Sequence, residues 1–146
     1  AKNAARCIEG YDLVRAGAAS CAARLAVNQA GYDTGRVLVS GAIGRWTGQV
    51  GVFPAGDDKA RPEHLRGPCY RCLVPETPTD AETCAAVGVM GALAGVVGAM
   101  TAVEAIKLIT GAGEPLTGRL LLYDALSGET RTVRVPRDPA CPVCGT

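Results

Sequence analysis

The sequence predicts an α/β fold in one domain, on three observations. Short β-branched runs, above all "GRVLVSGAI" at 35–43, alternate with stretches suited to helix. An uncharged run at 85–103 opens a helix that reaches Thr110. Towards the C-terminal end, "RLLLYDA" (119–125) and "TRTVRV" (130–135) flank Ser127-Gly128 as the arms of a hairpin. A chain of 146 residues has the size of one domain, and roughly 68–70% of its unfolded surface can be buried.

In chain order, "YDLV" (11–14) reads as a short strand and about 18–30 as a helix. Residues 35–43 read as a buried strand. "GQVGVF" (48–53) reads as its neighbour, with Gly44 and Gly48 as turn points around Trp46. Residues 54–84 carry five prolines and read as a long crossover loop, a length that points to a lid or a binding segment. The apolar helix is expected from about Ala85 to Thr110, stopped by Gly111-Ala112-Gly113. Nineteen uncharged residues with Gly91 and Gly95 at GxxxG spacing are just long enough to cross a membrane. The run is mostly Ala and Gly, however, and Glu104 and Lys107 follow at once as an i,i+3 ion pair. A buried or interface helix is the expectation.

Fifteen basic and fourteen acidic residues leave a net charge of +1, and aromatic residues make up only 4%. That balance offers no electrostatic case for nucleic acid or an anionic membrane, and little for base stacking. The start "AKNAARCIEG" has no apolar signal core and no initiator Met, so a processed or partial cytoplasmic chain is expected. One histidine, His64 in the loop, gives poor support to a Ser-His or Cys-His pair.

Seven cysteines, an odd number, argue against a disulfide framework and for reduced thiols with metal binding. Cys69 and Cys72 form one CxxC, and Cys141 and Cys144 form another at the far end. Two such turns supply four thiolates in tetrahedral geometry, the pattern of structural zinc. Four thiolates leave no open position, so the metal is expected to clasp the loop to the chain end rather than do chemistry. Cys7 and Cys21 read as packing residues.

"GRWTGQVGVF", "CYRCLVP", "CAAVGVMGALAGVVGAMTAVEAIKLITG", "GRLLLYDAL" and "RDPACPVCG" occur in this order. The set, over residues 11 to 145, resembles the C-terminal half of the ThiF/MoeB/HesA family, bacterial relatives of ubiquitin-activating enzymes. The resemblance implies the second half of a Rossmann-like domain with a mixed sheet. It also implies ATP- and magnesium-dependent adenylation of the C-terminal glycine of a ubiquitin-like sulfur carrier. Thiamin and molybdopterin synthesis are the pathways such carriers serve. A homodimer and a zinc site matching Cys69, Cys72, Cys141 and Cys144 are implied as well. Cys84 matches the family's conserved or catalytic thiol. Its expected place at a helix N-terminus would lower its pKa, with a small buried hydrophobe capping the helix as the alternative.

Two departures qualify that likeness. "YDLVRAGAASCAARLAVN" aligns with a segment reading about YDLV-x-DGTDN-x-x-x-R-x-x-x-N; Gly17, Arg24 and Asn28 match, while Ala16 and Ala19 replace the acids and Ser20 the Asn. Alanine cannot hold magnesium. No GxGxxG precedes "YDLV", and "GVMGALAG" lies in the apolar helix, not after a strand. The expectation is a partial domain, 1–146, without its nucleotide-binding half. Its function is adenylation and thiol relay completed elsewhere or, alternatively, an inactive zinc-stabilised module that docks a carrier or an activating-enzyme subunit.

Overall fold

One mixed sheet organises the chain in the computed structural model, which describes residues 3–18, 20–54, 66–75 and 88–145. Its strands are β1 (Leu13–Ala16), β2 (Val37–Ile43), β3 (Thr47–Phe53), β4 (Arg119–Asp124) and β5 (Glu129–Arg134). They lie side by side in chain order. β1 and β2 are parallel and the remaining pairs antiparallel. A parallel pair needs a crossover, supplied by helix α2 (Cys21–Asp33). The β2–β3 turn is closed by the Gly44 N–H donating to Thr47 O at 2.8 Å.

Helix α4 (Gly91–Thr110) covers one face of β2 and β3. Val39, Val50 and Val52 meet Leu93 and Val97 there. The approach depends on two glycines. A Cβ on Gly41 would come within 2.8 Å of the Thr101 methyl, and one on Gly48 within 2.5 Å of Val97 Cγ2. On the other face, Leu38, Phe53 and Ala16 pack with Tyr70 and half-buried Leu25 and Val27, in an α2–sheet–α4 sandwich. β2 is therefore buried on both sides, which is why it reads as a continuous apolar run.

The strands fall within two residues of their expected places; the helices differ more. Helix α1 (Ala4–Ile8) has no strong sequence signal, and α2 runs from Cys21 rather than 18 because Ser20 is its N-cap, its Oγ accepting from Ala23 N–H at 3.2 Å. Helix α3 (Tyr70–Leu73), a single turn, interrupts what reads as loop. Among the described residues α4 begins at Gly91, not Ala85, because Gly88 has φ +70° and Met90 is extended. Cys84 lies outside the described residues.

The buried stripe of α4 is Leu93, Val97, Thr101 and Glu104. Glu104 pairs with Lys107, and its Oε2 accepts from Leu116 N–H at 2.8 Å. The helix therefore holds a buried, satisfied carboxylate, although by length and composition it is able to cross a membrane. Its other side stays open: Val103 is 54% exposed, Ile106 57% and Ile109 74%. Only the stripe that faces the sheet is buried as expected; the other side is exposed.

Candidate metal centre and sheet-end cleft

The four CxxC cysteines converge, with all their sulfurs within 4.8 Å of one another. Cys69 Sγ lies 3.7 Å from Cys141 Sγ, and Cys72 Sγ 3.3 Å from Cys144 Sγ. Metal–sulfur bonds of about 2.3 Å in a tetrahedron require sulfur–sulfur edges of about 3.8 Å. The arrangement is already close to that. Cys69, Cys141 and Cys144 are buried and Cys72 half-buried. The residues fit a closed tetrahedral site.

Backbone contacts hold each pair in place. Cys69 caps α3, and Cys72 N–H donates to Cys69 O at 3.0 Å. Tyr70 N–H donates to Oδ1 of Asn28, a buried residue of α2, at 2.8 Å. In the second pair, Asp138 Oδ1 accepts from Ala140 N–H, the Cys141 N–H donates to Asp138 O, and Arg137 donates to Cys144 O. Gly145 closes the turn onto Cys141 O, where an added Cβ would sit 2.5 Å from two carbonyl oxygens. The Asp138 N–H reaches Cys72 Sγ at 3.5 Å and so links the two pairs.

Burial pushes the Cys72 thiol up to about 11 from its ordinary 9.0, and raises Cys69 and Cys144 as well. Cys141 feels burial too, but backbone groups of Cys144 and Val143, followed by neighbouring thiols, outweigh it and hold it at about 7. One ligand is half-ionised near neutrality, and the others give up their protons as a metal arrives.

A second feature lies where β1 and β2 end. A cleft of about 350 Å³ opens there, lined by Arg15, Gly17, Ala18, Arg24, Val89 and Gly98 among others. Arg15 Nε donates to Thr101 Oγ1 at 2.6 Å, and its Nη2 to Gly98 O at 3.2 Å. Arg24 Nε donates to Ala18 O at 2.8 Å. Among the described residues that line the cleft, none is a carboxylate.

The structure thus brings all four expected metal ligands together. Ala19, His64 and Cys84 lie outside the described residues. Cys7 is exposed on α1 and Cys21 half-buried at the start of α2, so Cys7 is not the packing residue expected. The short α1 turns only Ile8 inward. Sequence reasoning missed Arg15, Thr101 and Arg137, and noted Asn28 only as a match. Period-2 alternation was the available signal for Arg15, since it shares a strand face with Leu13, which packs against the α4 core.

A model of the ThiF family matches residues 1–143. The sulfur carrier protein adenylyltransferase of Thermus thermophilus is 44% identical over 146 residues, covering 99% of this chain and 52% of that protein. The molybdopterin-synthase adenylyltransferase of Escherichia coli is 38% identical over 138 residues, covering 94% and 52%. The chain spans about half the length of these relatives. Among solved structures, E. coli MccB superposes with a TM-score of 0.72 at 16% identity, over 92% of this chain and 41% of that one. That likeness is one of fold.

Proposed function

The chain belongs to the ThiF family, and on that premise we propose that it acts on the C-terminal glycine of a ubiquitin-like sulfur carrier. In this reading the chain contributes the carrier-recognising, metal-clasped part of an adenylyltransferase, and residues outside these 146 hold ATP and magnesium. The names of the relatives at 44% and 38% identity support the activity. The cleft supports the division of labour. With no carboxylate among its described lining residues, with alanine at 16 and 19, and with no GxGxxG in the chain, it does not fit magnesium-ATP. No phosphoryl step is assigned to these residues. The same observation favours a second reading, a docking module without catalysis of its own.

Zinc is the metal assigned to Cys69, Cys72, Cys141 and Cys144, since tetrahedral four-sulfur sets select zinc or iron–sulfur centres and the separated CxxC turns favour zinc. It would supply folding energy, with no open position for water or substrate. The odd cysteine count and the two CxxC turns support a reducing compartment, the cytoplasm in this reading. The open side of α4 is the surface left for a second subunit, either another copy or the chain that completes the nucleotide site. Cys84 is the candidate covalent thiol, with simple packing as its alternative.

The test is ATP–pyrophosphate exchange by the zinc-loaded chain with a sulfur-carrier protein present, with Cys84→Ser assayed beside it for covalent capture of the carrier. No exchange by the chain alone, together with direct carrier binding, is expected. Exchange by the isolated chain would show a nucleotide site within it, and failure to bind any sulfur carrier would overturn the assignment.

A further inference from the structure

We propose that the clasp is also a redox latch: under a hydroperoxide, Cys72 and Cys144 join as a disulfide across the two CxxC turns, and a covalent bond replaces the metal. The inference rests on the reading of the four cysteines as a metal site, and goes beyond it by making two of them unequal to the others.

Exposure is the first argument. Cys69, Cys141 and Cys144 are 1%, 4% and 2% exposed, whereas Cys72 is only half-buried. Of the four, Cys72 is the sulfur that an oxidant in solution reaches first. A ligand sulfur is a thiolate, the nucleophilic form of cysteine. That sets Cys72 apart from Cys7, which is exposed on α1 but outside the ligand set.

Proximity is the second. The Cys72–Cys144 contact, at 3.3 Å, is closer than the Cys69–Cys141 contact at 3.7 Å, and both run between the turns rather than within one. The Asp138 N–H, three residues ahead of the second CxxC, already rests on Cys72 Sγ at 3.5 Å. An oxidised Cys72 therefore finds Cys144 in contact. The Cys72 thiolate takes one oxygen from hydrogen peroxide to become a sulfenic acid, and hydroxide leaves. The Cys144 thiolate attacks the Cys72 sulfur, the disulfide forms, and a second hydroxide leaves. Two thiolates have then given two electrons to one peroxide. Cys69 and Cys141 keep their reduced sulfurs, and two sulfurs do not close a tetrahedron, so the metal is released. A dithiol reverses the step by becoming a disulfide itself.

The third argument is what the new bond does. Its two residues are 72 apart in the chain, so it closes a long loop, the kind that constrains an unfolded chain most. It also joins the same two segments as the metal, α3 and the Cys141–Cys144 turn. Oxidation exchanges one clasp for another instead of undoing the fold.

The experiment treats the reduced, zinc-loaded chain with one equivalent of hydrogen peroxide. Zinc is followed with a chromophoric chelator, disulfides by mass spectrometry of a non-reduced digest, and the fold by thermal circular dichroism. The expected result is release of the zinc, a Cys72–Cys144 disulfide, and a cooperative melt about 10 °C or more above that of the reduced, zinc-stripped chain. Dithiothreitol with added zinc should restore the starting state. The same map is expected from Cys7→Ser and Cys84→Ser, since neither residue belongs to the ligand set. Absence of metal before peroxide is added would overturn the clasp reading and this inference with it. With zinc bound at the start, any of four results would overturn this inference alone: pairing within a turn, no Cys72–Cys144 bond, loss of the cooperative melt, or zinc binding that dithiothreitol does not restore.

Discussion

Helix α2 reaches two sites with residues one turn apart: Asn28 at the cysteine clasp and Arg24 at the sheet-end cleft. At the clasp, all four candidate ligands come from this chain, and short hydrogen-bonded turns preset their sulfurs. At the cleft, the described lining residues include two arginines and no carboxylate. The contrast follows from what each site must do. A closed four-sulfur site is all-or-none, since losing one ligand opens the tetrahedron and forfeits most of the metal's folding energy. An open cleft has no such requirement.

The largest effect should come from breaking the clasp. Zinc in such sites is worth roughly 10–16 kcal/mol, as much as the whole stability of a typical domain. Cys72→Ser is therefore expected to lose the metal and the cooperative melt together, as read by elemental analysis and thermal circular dichroism. Full zinc content with an unchanged melt would remove the clasp from the account, and iron in place of zinc would change its chemistry.

Acid should act on the clasp next. Metal binding displaces thiol protons, so affinity falls as pH falls, by roughly tenfold per pH unit for each proton released. The raised thiols of Cys69, Cys72 and Cys144 all contribute at neutral pH, and Cys141 joins below about 7. The metal-free fold has the opposite sign. Because burial raises Cys72 from 9.0 to about 11, its contribution is complete below 9.0 and is lost as pH climbs through 11. Zinc competition and melts of the stripped chain, each across pH, separate the two; a pH-independent zinc affinity would contradict thiolate ligation.

A smaller change sharpens the contrast between the sites. Asn28→Ala removes the acceptor for Tyr70 N–H and leaves that buried donor unpaired, at a cost of about 1–3 kcal/mol. The melting temperature should drop while zinc stays bound. Loss of the metal along with that drop would mean that Asn28 is needed to hold the clasp itself.

Legibility followed the kind of signal each feature leaves. The clasp was readable because the CxxC spacing itself specifies a chelating turn, whatever the surrounding fold. β2, β3 and the hairpin were readable from β-branched alternation and from Ser127-Gly128, where Gly128 has φ +72°. Helix α3 was not, because one turn is too short to show a period. The start of α4 was misplaced because an Ala- and Gly-rich run has no cap to mark it; Met90 offers no side-chain cap. The cleft was invisible because Arg15 and Gly98, 83 residues apart, meet only across the packed helix and sheet.

By itself, then, the sequence determined the α/β class, the family and the four cysteines that come together, all properties of residue type and spacing. Tertiary structure alone decided that two arginines face one cleft, that Glu104 is buried and satisfied, and that one side of α4 remains open. Those outcomes depend on which faces pack together, and Gly41 and Gly48 set that by letting the helix lie close on the sheet. Local pattern carries no record of such an approach, because the atoms that meet are distant in the chain.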